Sequence, residues 1–139
     1  MSFLLDTNVL SELRKGPQAH ENVRIWDRAN GRSARFTSAM VIAELRKGAL
    51  ARSRKDPQGG AALDAWVSRT IGVFGERVLP VDLHVAEVWA RLMVPRSRPP
   101  VDTLIAATAL AHGLTLVTRN VSNFEDTGVA LLDPWTFSA

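Results

Sequence analysis

Short apolar runs alternate along the chain with longer segments in which apolar side chains recur every three or four positions. The first run, Phe3 to Leu5, has the length of a buried strand, and it precedes residues that commonly begin helices, Asp6, Thr7 and Asn8. The pattern predicts strands at 3–5, 35–37, 77–79, 114–117 and 129–132. It predicts one helix between Asp6 and Gly16, further helices over 20–30, 39–52, 61–74, 81–93 and 101–112, and a loop at 55–60.

The alternation of strands with helices is typical of a mostly parallel sheet that carries helices on both faces. A chain of 139 residues has the size of one domain, so residues 1–139 are predicted to form a single α/β domain. Functional groups of such sheets lie in the crevice beyond the carboxyl ends of the strands. The residues that follow the predicted strands are therefore the first candidates for chemistry.

Composition removes several classes of protein. The chain has no cysteine, which excludes disulfides, thiolate metal sites and cysteine nucleophiles. None of its three histidines is paired at a metal-binding spacing, which argues against zinc. No apolar run approaches the ~20 residues of a membrane span, and no basic leader precedes the first apolar run, so we expect a cytoplasmic protein without membrane contact.

Positive charge is concentrated in the first half of the chain. Residues 1–69 carry twelve Lys and Arg against seven Asp and Glu, whereas residues 70–139 carry five against seven. Fourteen of the seventeen cations are arginine, which pairs well with phosphate. This asymmetry favours an anionic partner such as a nucleic acid, although a GC-rich coding bias would also explain the preference for arginine over lysine.

Three acidic residues stand out, and each has an ordinary explanation. Asp6 can cap the helix that follows the first strand, Glu44 can pair with Lys47, and Asp102 can favour a helix N-terminus. They lie 38 and 58 residues apart, which places them on different βα units of a parallel sheet. We therefore expect their side chains to meet at one end of the sheet.

Carboxylates that share a cleft repel one another and need a compensating cation. Oxygen ligands without histidine or cysteine select hard ions, namely Mg²⁺ or Mn²⁺. Such ions activate water and stabilise the transition state of a phosphoryl reaction. The acids and the basic flank together suggest hydrolysis of a phosphodiester.

Four blocks of sequence, in order, resemble the PIN-domain nucleases, in particular the toxins of bacterial VapB–VapC toxin–antitoxin pairs of the FitB-like branch. The blocks are 4–12 (LLDTNVLSE), 43–48 (AELRKG), 102–109 (DTLIAATA) and 116–120 (LVTRN). The segment 133–135 (DPW) is also similar to the FitB-like branch. The resemblance covers nearly the whole chain.

The resemblance implies a five-stranded, mostly parallel sheet with helices on both faces and a Mg²⁺ or Mn²⁺ site held by Asp6, Glu44 and Asp102. The family commonly adds a polar or acidic residue after the fourth strand. The candidates here are the amides Asn120 and Asn123, with Glu125 or Asp126 as an alternative. An amide adds no negative charge, so we expect one strong metal position and a second that is weak or filled only with substrate.

The implied activity is that of an endoribonuclease acting on RNA, often transfer or ribosomal RNA. Four residues are candidates to orient the carboxylates or the attacking water, with capping and turn roles as their alternative: Thr7, Asn8, Ser38 and Thr118. Five cations are candidates to contact phosphates: Arg14, Lys15, Arg46, Lys47 and Arg119.

The resemblance also implies partners. They are a second copy of the chain, as a homodimer, and a cognate VapB-type antitoxin, with hetero-tetramers or larger assemblies left open. Operator DNA would be bound only through the antitoxin. The antitoxin helix is expected to lie across the first helices, on exposed Leu10, Leu13 and Trp26.

The main alternative is a PIN-fold regulatory module of little or no activity that works through an antitoxin–operator DNA complex. The amides at Asn120 and Asn123 favour it, and the three acids argue against it. A haloacid dehalogenase-type phosphatase needs a second aspartate where this chain has Asn8. A dinucleotide-binding enzyme needs a glycine-rich turn after the first strand, which is absent.

Overall fold

The computed structural model describes residues 1–94 and 96–138. Within that part, the strands are β1 (Phe3–Leu5), β2 (Arg35–Ser38), β3 (Val78–Leu79), β4 (Thr115–Val117) and β5 (Leu131–Leu132). They form a five-stranded sheet in the order β3–β2–β1–β4–β5, and every neighbouring pair is parallel. The predicted α/β class with a mostly parallel sheet is confirmed.

Helices connect the strands. They are α1 (Thr7–Leu13), α2 (Glu21–Ala29), α3 (Ala39–Ser53), α4 (Pro57–Phe74), α5 (Leu83–Met93) and α6 (Pro100–Ala111). Within the described ranges, none of these helices has both the length and the apolar character that crossing a bilayer requires.

The core lies on both faces of β1 and β4. All three residues of β1 are buried, as are Leu116 and Val117 of β4. Successive strand residues point to opposite faces, so this continuous burial requires cover on both sides. Trp26 of α2 packs edge-on against Phe3, with ring centroids 5.3 Å apart.

The loop predicted at 55–60 is wrong in its second half, because α4 already begins at Pro57. Asp56 caps this helix by accepting a hydrogen bond from the Gly59 N–H at 3.0 Å. A Cβ on Gly60 would lie 2.5 Å from the backbone N and Cα of Ser53 in α3. The glycines therefore serve close packing of α3 against α4 and not a turn.

The topology places three acidic positions at the same edge of the sheet. Asp6 follows β1 directly, and its N–H continues the pairing with β4 by donating to the Val117 carbonyl at 3.0 Å. Glu44 lies in α3, which follows β2, and Asp102 lies in the first turn of α6, which leads into β4. Because β1 is flanked by β2 and β4, the three segments are neighbours.

Candidate active site

Asp6 is fixed by two hydrogen bonds. One carboxylate oxygen accepts from the Thr7 N–H at 2.8 Å, which caps α1, and the other accepts from the Thr118 hydroxyl at 2.9 Å. The residue is only 5% exposed. Asp6 is thus the predicted helix cap, and its other oxygen faces a residue at the end of β4.

Glu44 is joined to the same region through Thr7. The Thr7 hydroxyl donates to a Glu44 carboxylate oxygen at 2.7 Å, across 37 positions of sequence. Among the residues described, no ion pair joins Glu44 to Lys47, the alternative that the spacing offered. One threonine therefore holds two acids, Asp6 through its backbone and Glu44 through its side chain.

The three carboxylates lie within electrostatic reach of one another. Burial raises the pKa of Asp6 most, and the negative charges of Asp102 and Glu44 raise it further, while hydrogen bonds from Thr7 and Thr118 oppose the rise. Burial and the charge of Glu44 likewise raise the pKa of Asp102. The structure thus brings together the three acids that the sequence places on separate βα units.

Thr118 is the centre of a hydrogen-bond network behind Asp6. Its hydroxyl donates to Asp6 and accepts from the Asn8 side-chain amide at 3.2 Å and from the Asn120 N–H at 3.1 Å. The Asn8 side-chain oxygen Oδ1 accepts from the Arg119 backbone N–H at 3.2 Å. The network ties the segment after β4 to the start of α1.

Ser38 has a different role. Its hydroxyl accepts from the Val41 N–H at 3.1 Å and caps α3, and its side chain is fully buried. This contact fits the helix-capping role that the sequence offered as the alternative for Ser38.

Neither Glu125 nor Asp126, the acids of the segment after β4, is among the charges that raise the pKa of Asp6 and Asp102. Asn120 and Asn123 are both exposed, and the Asn123 N–H donates to the Asn120 carbonyl at 3.0 Å. Asp126, the acidic alternative, is paired with Arg98 at 2.7 Å and with Arg96 at 3.0 Å. The two arginines hold its carboxylate, and they keep its pKa below the usual value.

Two of the five predicted phosphate contacts are bound to acids of the same chain. Arg46 pairs with Asp64 at 2.7 Å and also donates to Ser68, which joins α3 to α4. Lys15 pairs with Glu12 at 2.9 Å. These contacts leave Arg14, Lys47 and Arg119, all exposed, as the freer members of the set.

The acids suit a hard cation by their chemistry, but they are not gathered into a finished metal centre. In the described ranges, no group of three or more His, Cys, Asp or Glu side chains is placed to hold a metal ion. All the donors here are carboxylate oxygens, the ligands that Mg²⁺ and Mn²⁺ prefer. Burial, and to a lesser degree repulsion by neighbouring acids, raises the pKa of Asp6 and of Asp102, and a bound cation would relieve both costs.

A second feature, which we call the arginine groove, is a cavity of about 440 Å³ between α1, α2 and α4. Leu10 and Leu13 line it, although Leu10 is buried and Leu13 half-buried, and not exposed as expected. Trp26 does not line it, because it is fully buried in the core. Five arginines also line it: Arg14, Arg32, Arg35, Arg69 and Arg77. Apart from the overall excess of cations, no sequence signal locates them, since they come from four separate segments.

A family model described as "PIN domain" matches residues 3–129. The chain belongs to the PIN domain family. Its relatives include the VapC ribonuclease Y4jK of Sinorhizobium fredii, 34% identical over 96% of this chain and 97% of the relative. Toxin FitB of Neisseria gonorrhoeae is also 34% identical, over 96% of this chain and 98% of the toxin.

Solved structures are similar in fold to this PIN domain. The crystal structure of FitAcB from Neisseria gonorrhoeae superposes with a TM-score of 0.85 at 32% identity, covering 97% of this chain and 99% of that one. DNA-bound VapBC from Salmonella typhimurium gives 0.74 at 27% identity, covering 96% of this chain and 98% of that one.

The raised pKa values of this PIN domain predict how its stability depends on pH in EDTA. An aspartate whose folded pKa is above its unfolded value near 3.8 supports folding fully below that value and less as the pH rises through the folded pKa. Asp6→Asn removes this penalty at one site. The variant should therefore melt a few degrees above the wild type at pH 7 and level with it near pH 3.

The exposed Glu87 of α5 provides the control. Glu87→Gln should leave the melting curve of the wild type unchanged at both pH values. The raised pKa of Asp6 is refuted if Asp6→Asn melts at or below the wild type at pH 7.

Proposed function

We propose that this PIN domain is an endoribonuclease of the VapC type, the toxin of a toxin–antitoxin pair, which hydrolyses phosphodiester bonds of RNA. The observation that carries the proposal is the convergence of Asp6, Glu44 and Asp102 at the carboxyl edge of the sheet. Thr7 joins Asp6 to Glu44 by hydrogen bonds, and the charges of Asp102 and Glu44 contribute to the raised pKa of Asp6. The names of the relatives, a ribonuclease and a toxin, point the same way.

The same three acids would hold a divalent cation, Mg²⁺ or Mn²⁺. When bound, such an ion activates water and offsets the negative charge that develops on the phosphate. Asn120 and Asn123, the candidates after β4, carry no charge, which supports a single strong metal position.

The chain's own residues keep the acids in place. Thr118 and the Thr7 N–H hold opposite oxygens of Asp6, so the carboxylate cannot rotate without losing a bond. Thr7 also fixes Glu44. Groups that orient metal-binding carboxylates in this way are typically worth 10–100-fold in activity or metal affinity. Asn8, bonded to Thr118 and to the Arg119 N–H, keeps the following segment beside the acids.

Cleavage of total bacterial RNA by the purified, antitoxin-free protein tests the activity. The wild type should make discrete cuts with Mg²⁺ or Mn²⁺ and none in EDTA, as read by mapping new 5′ ends. Asp6→Asn, Glu44→Gln and Asp102→Asn should each lower the cleavage rate by at least about 100-fold, because each removes one of the charges that organises the site.

Glu87→Gln, which removes an exposed carboxylate from α5, is the matched control and should cut at the wild-type rate. Equal cleavage by the wild type and the three site variants would refute the assignment of the acids. If folded wild-type protein leaves all RNA intact with both metals, the regulatory module that acts through antitoxin and operator DNA becomes the better account.

The antitoxin's neutralising segment is proposed to occupy the arginine groove. Its floor is apolar, with Leu10 and Leu13, and two of its arginines are held rigid, since Arg35 pairs with Asp27 and Arg77 donates to the Arg35 carbonyl at 2.8 Å. An apolar segment that carries acidic side chains fits this combination of floor and rim. Operator DNA would then be bound through the antitoxin.

Reversing charge in the groove tests that site. The double variant Arg32→Glu and Arg69→Glu should weaken binding of the co-expressed antitoxin by more than about tenfold while RNA cleavage persists, because both arginines lie outside the acid cluster. Arg91→Glu, an exposed change on α5, is the control and should bind normally. Unchanged affinity of the double variant, measured by titration calorimetry, contradicts the groove as the docking site.

The proposed assembly includes a homodimer of this chain, with larger complexes formed through the antitoxin. A cytoplasmic location follows from the proposed RNA substrate.

A further inference from the structure

Arg119, directly after Thr118, lies over the ring of Trp135. Its guanidinium carbon is 5.1 Å from the ring centroid, within the range of a cation–π contact. Arg119 is exposed, whereas Trp135 is half-buried and packs against the core. The two residues come from segments 16 positions apart that follow neighbouring strands, β4 and β5.

Trp135 is a fixed platform. The backbone N–H of Trp135 donates to the Asp133 carboxylate at 2.9 Å, and its backbone carbonyl accepts from the Asn22 side-chain amide of α2 at 2.6 Å. The preceding Pro134 is buried and begins a short 3₁₀ turn. Backbone contacts on both sides of the residue thus set the position of the indole ring.

Arg119 is fixed at both ends. Its backbone N–H is bonded to Asn8, and the neighbouring Thr118 is bonded to Asp6, so its Cα lies about 3.8 Å from that of a residue which touches the acid cluster. Its guanidinium is held by the Trp135 ring. Contacts at its backbone and at its guanidinium thus tie the Arg119 side chain to the region beside Asp6.

The guanidinium of Arg119 is nevertheless available to an outside anion. Over residues 1–94 and 96–138, it has no carboxylate within ion-pair distance and donates no hydrogen bond. Arg46 and Arg98, by contrast, are each committed to an aspartate of the same chain. A guanidinium that stacks by its face keeps its N–H edge free for bidentate bonding to phosphate.

We propose that Trp135 is a positioning residue, which holds the guanidinium of Arg119 against a backbone phosphate of the RNA next to the one cleaved at Asp6. This proposal rests on the proposed function and adds a specific subsite to it. Trp135 acts through Arg119, so its removal loosens the cation without removing its charge.

RNA binding, separate from cleavage, gives the first readout. Binding of bulk transfer RNA is measured in EDTA over a range of salt concentrations. Arg119→Gln should reduce the slope of log K against log salt by about 0.7 to 0.9, the contribution of one phosphate contact. Trp135→Leu should weaken binding about two- to fivefold and leave that slope unchanged, because the charge remains while its stacking contact is lost. Trp135→Phe, which keeps an aromatic face, should bind nearly as the wild type does.

The double variant tests whether Trp135 works through Arg119. Trp135→Leu added to Arg119→Gln should weaken binding no further than Arg119→Gln alone. In cleavage assays with Mg²⁺, Trp135→Leu should raise KM by the same factor of about two to five by which it weakens binding, and it should leave kcat unchanged. Arg28→Gln is the matched control, since it removes an exposed arginine in the last turn of α2 that belongs to neither the acid cluster nor the arginine groove. It should not change the salt slope.

Two outcomes overturn the proposal. One is an additive effect of Trp135→Leu on the Arg119→Gln background, which would mean that the ring contacts RNA directly. The other is an equal loss of slope in Arg28→Gln and Arg119→Gln, which would mean that RNA responds to the total charge of the protein and not to a specific contact with Arg119. If Trp135→Leu melts well below the wild type, two other variants still test the proposal. They are Arg119→Gln, through the salt dependence of its RNA binding, and Trp135→Phe, through its affinity for RNA. A wild type that binds with this pattern but cuts nothing would refute the ribonuclease and not the subsite.

Discussion

The burial of Asp6 beside two other carboxylates is the constraint to which the rest of this structure is fitted. Asp6 is almost completely buried beside two further acids, and its pKa is raised in consequence. Isolated negative charges in such a place are costly unless hydrogen bonds or a cation compensate them. The Thr7 N–H and the Thr118 hydroxyl supply part of that compensation, and each also ties one element of the fold to another. A divalent ion held by the three acids, as proposed, would supply the remainder and would make the same arrangement a hydrolytic centre.

The positive charge is divided between two places with separate tasks. Five arginines line the arginine groove between α1, α2 and α4, where they surround an apolar floor. Arg119 lies instead at the edge of the acid cluster, held by Asn8 and Trp135. This separation allows a protein partner and an RNA backbone to be recognised by different cations. It also explains why the excess of arginine in the first half of the chain does not by itself locate the substrate.

The sequence carried enough information for the sheet and the acids, and less for everything that depends on side-chain packing. The run 3–5 and the polar residues after it predict β1 and its cap because burial and capping are local effects. The convergence of three distant acids followed from parallel topology alone. Three other features depend on which elements pack together, and no local pattern encodes that. They are the ion pair of Arg46 with Asp64, the burial of Trp26 and the start of α4 at Pro57. Trp135 belonged to a segment already noted for its resemblance, but its contact with Arg119 is visible only in three dimensions.

The central claim is that acids from three βα units form one divalent-cation site. Anomalous diffraction from a crystal grown with Mn²⁺ tests it most directly, because it locates the ion independently of activity. The account predicts one strong anomalous peak in contact with Asp6, Glu44 and Asp102, which disappears in a crystal of Asp6→Asn. A strong peak elsewhere, or none at these carboxylates in a well-diffracting crystal with millimolar Mn²⁺, would contradict it.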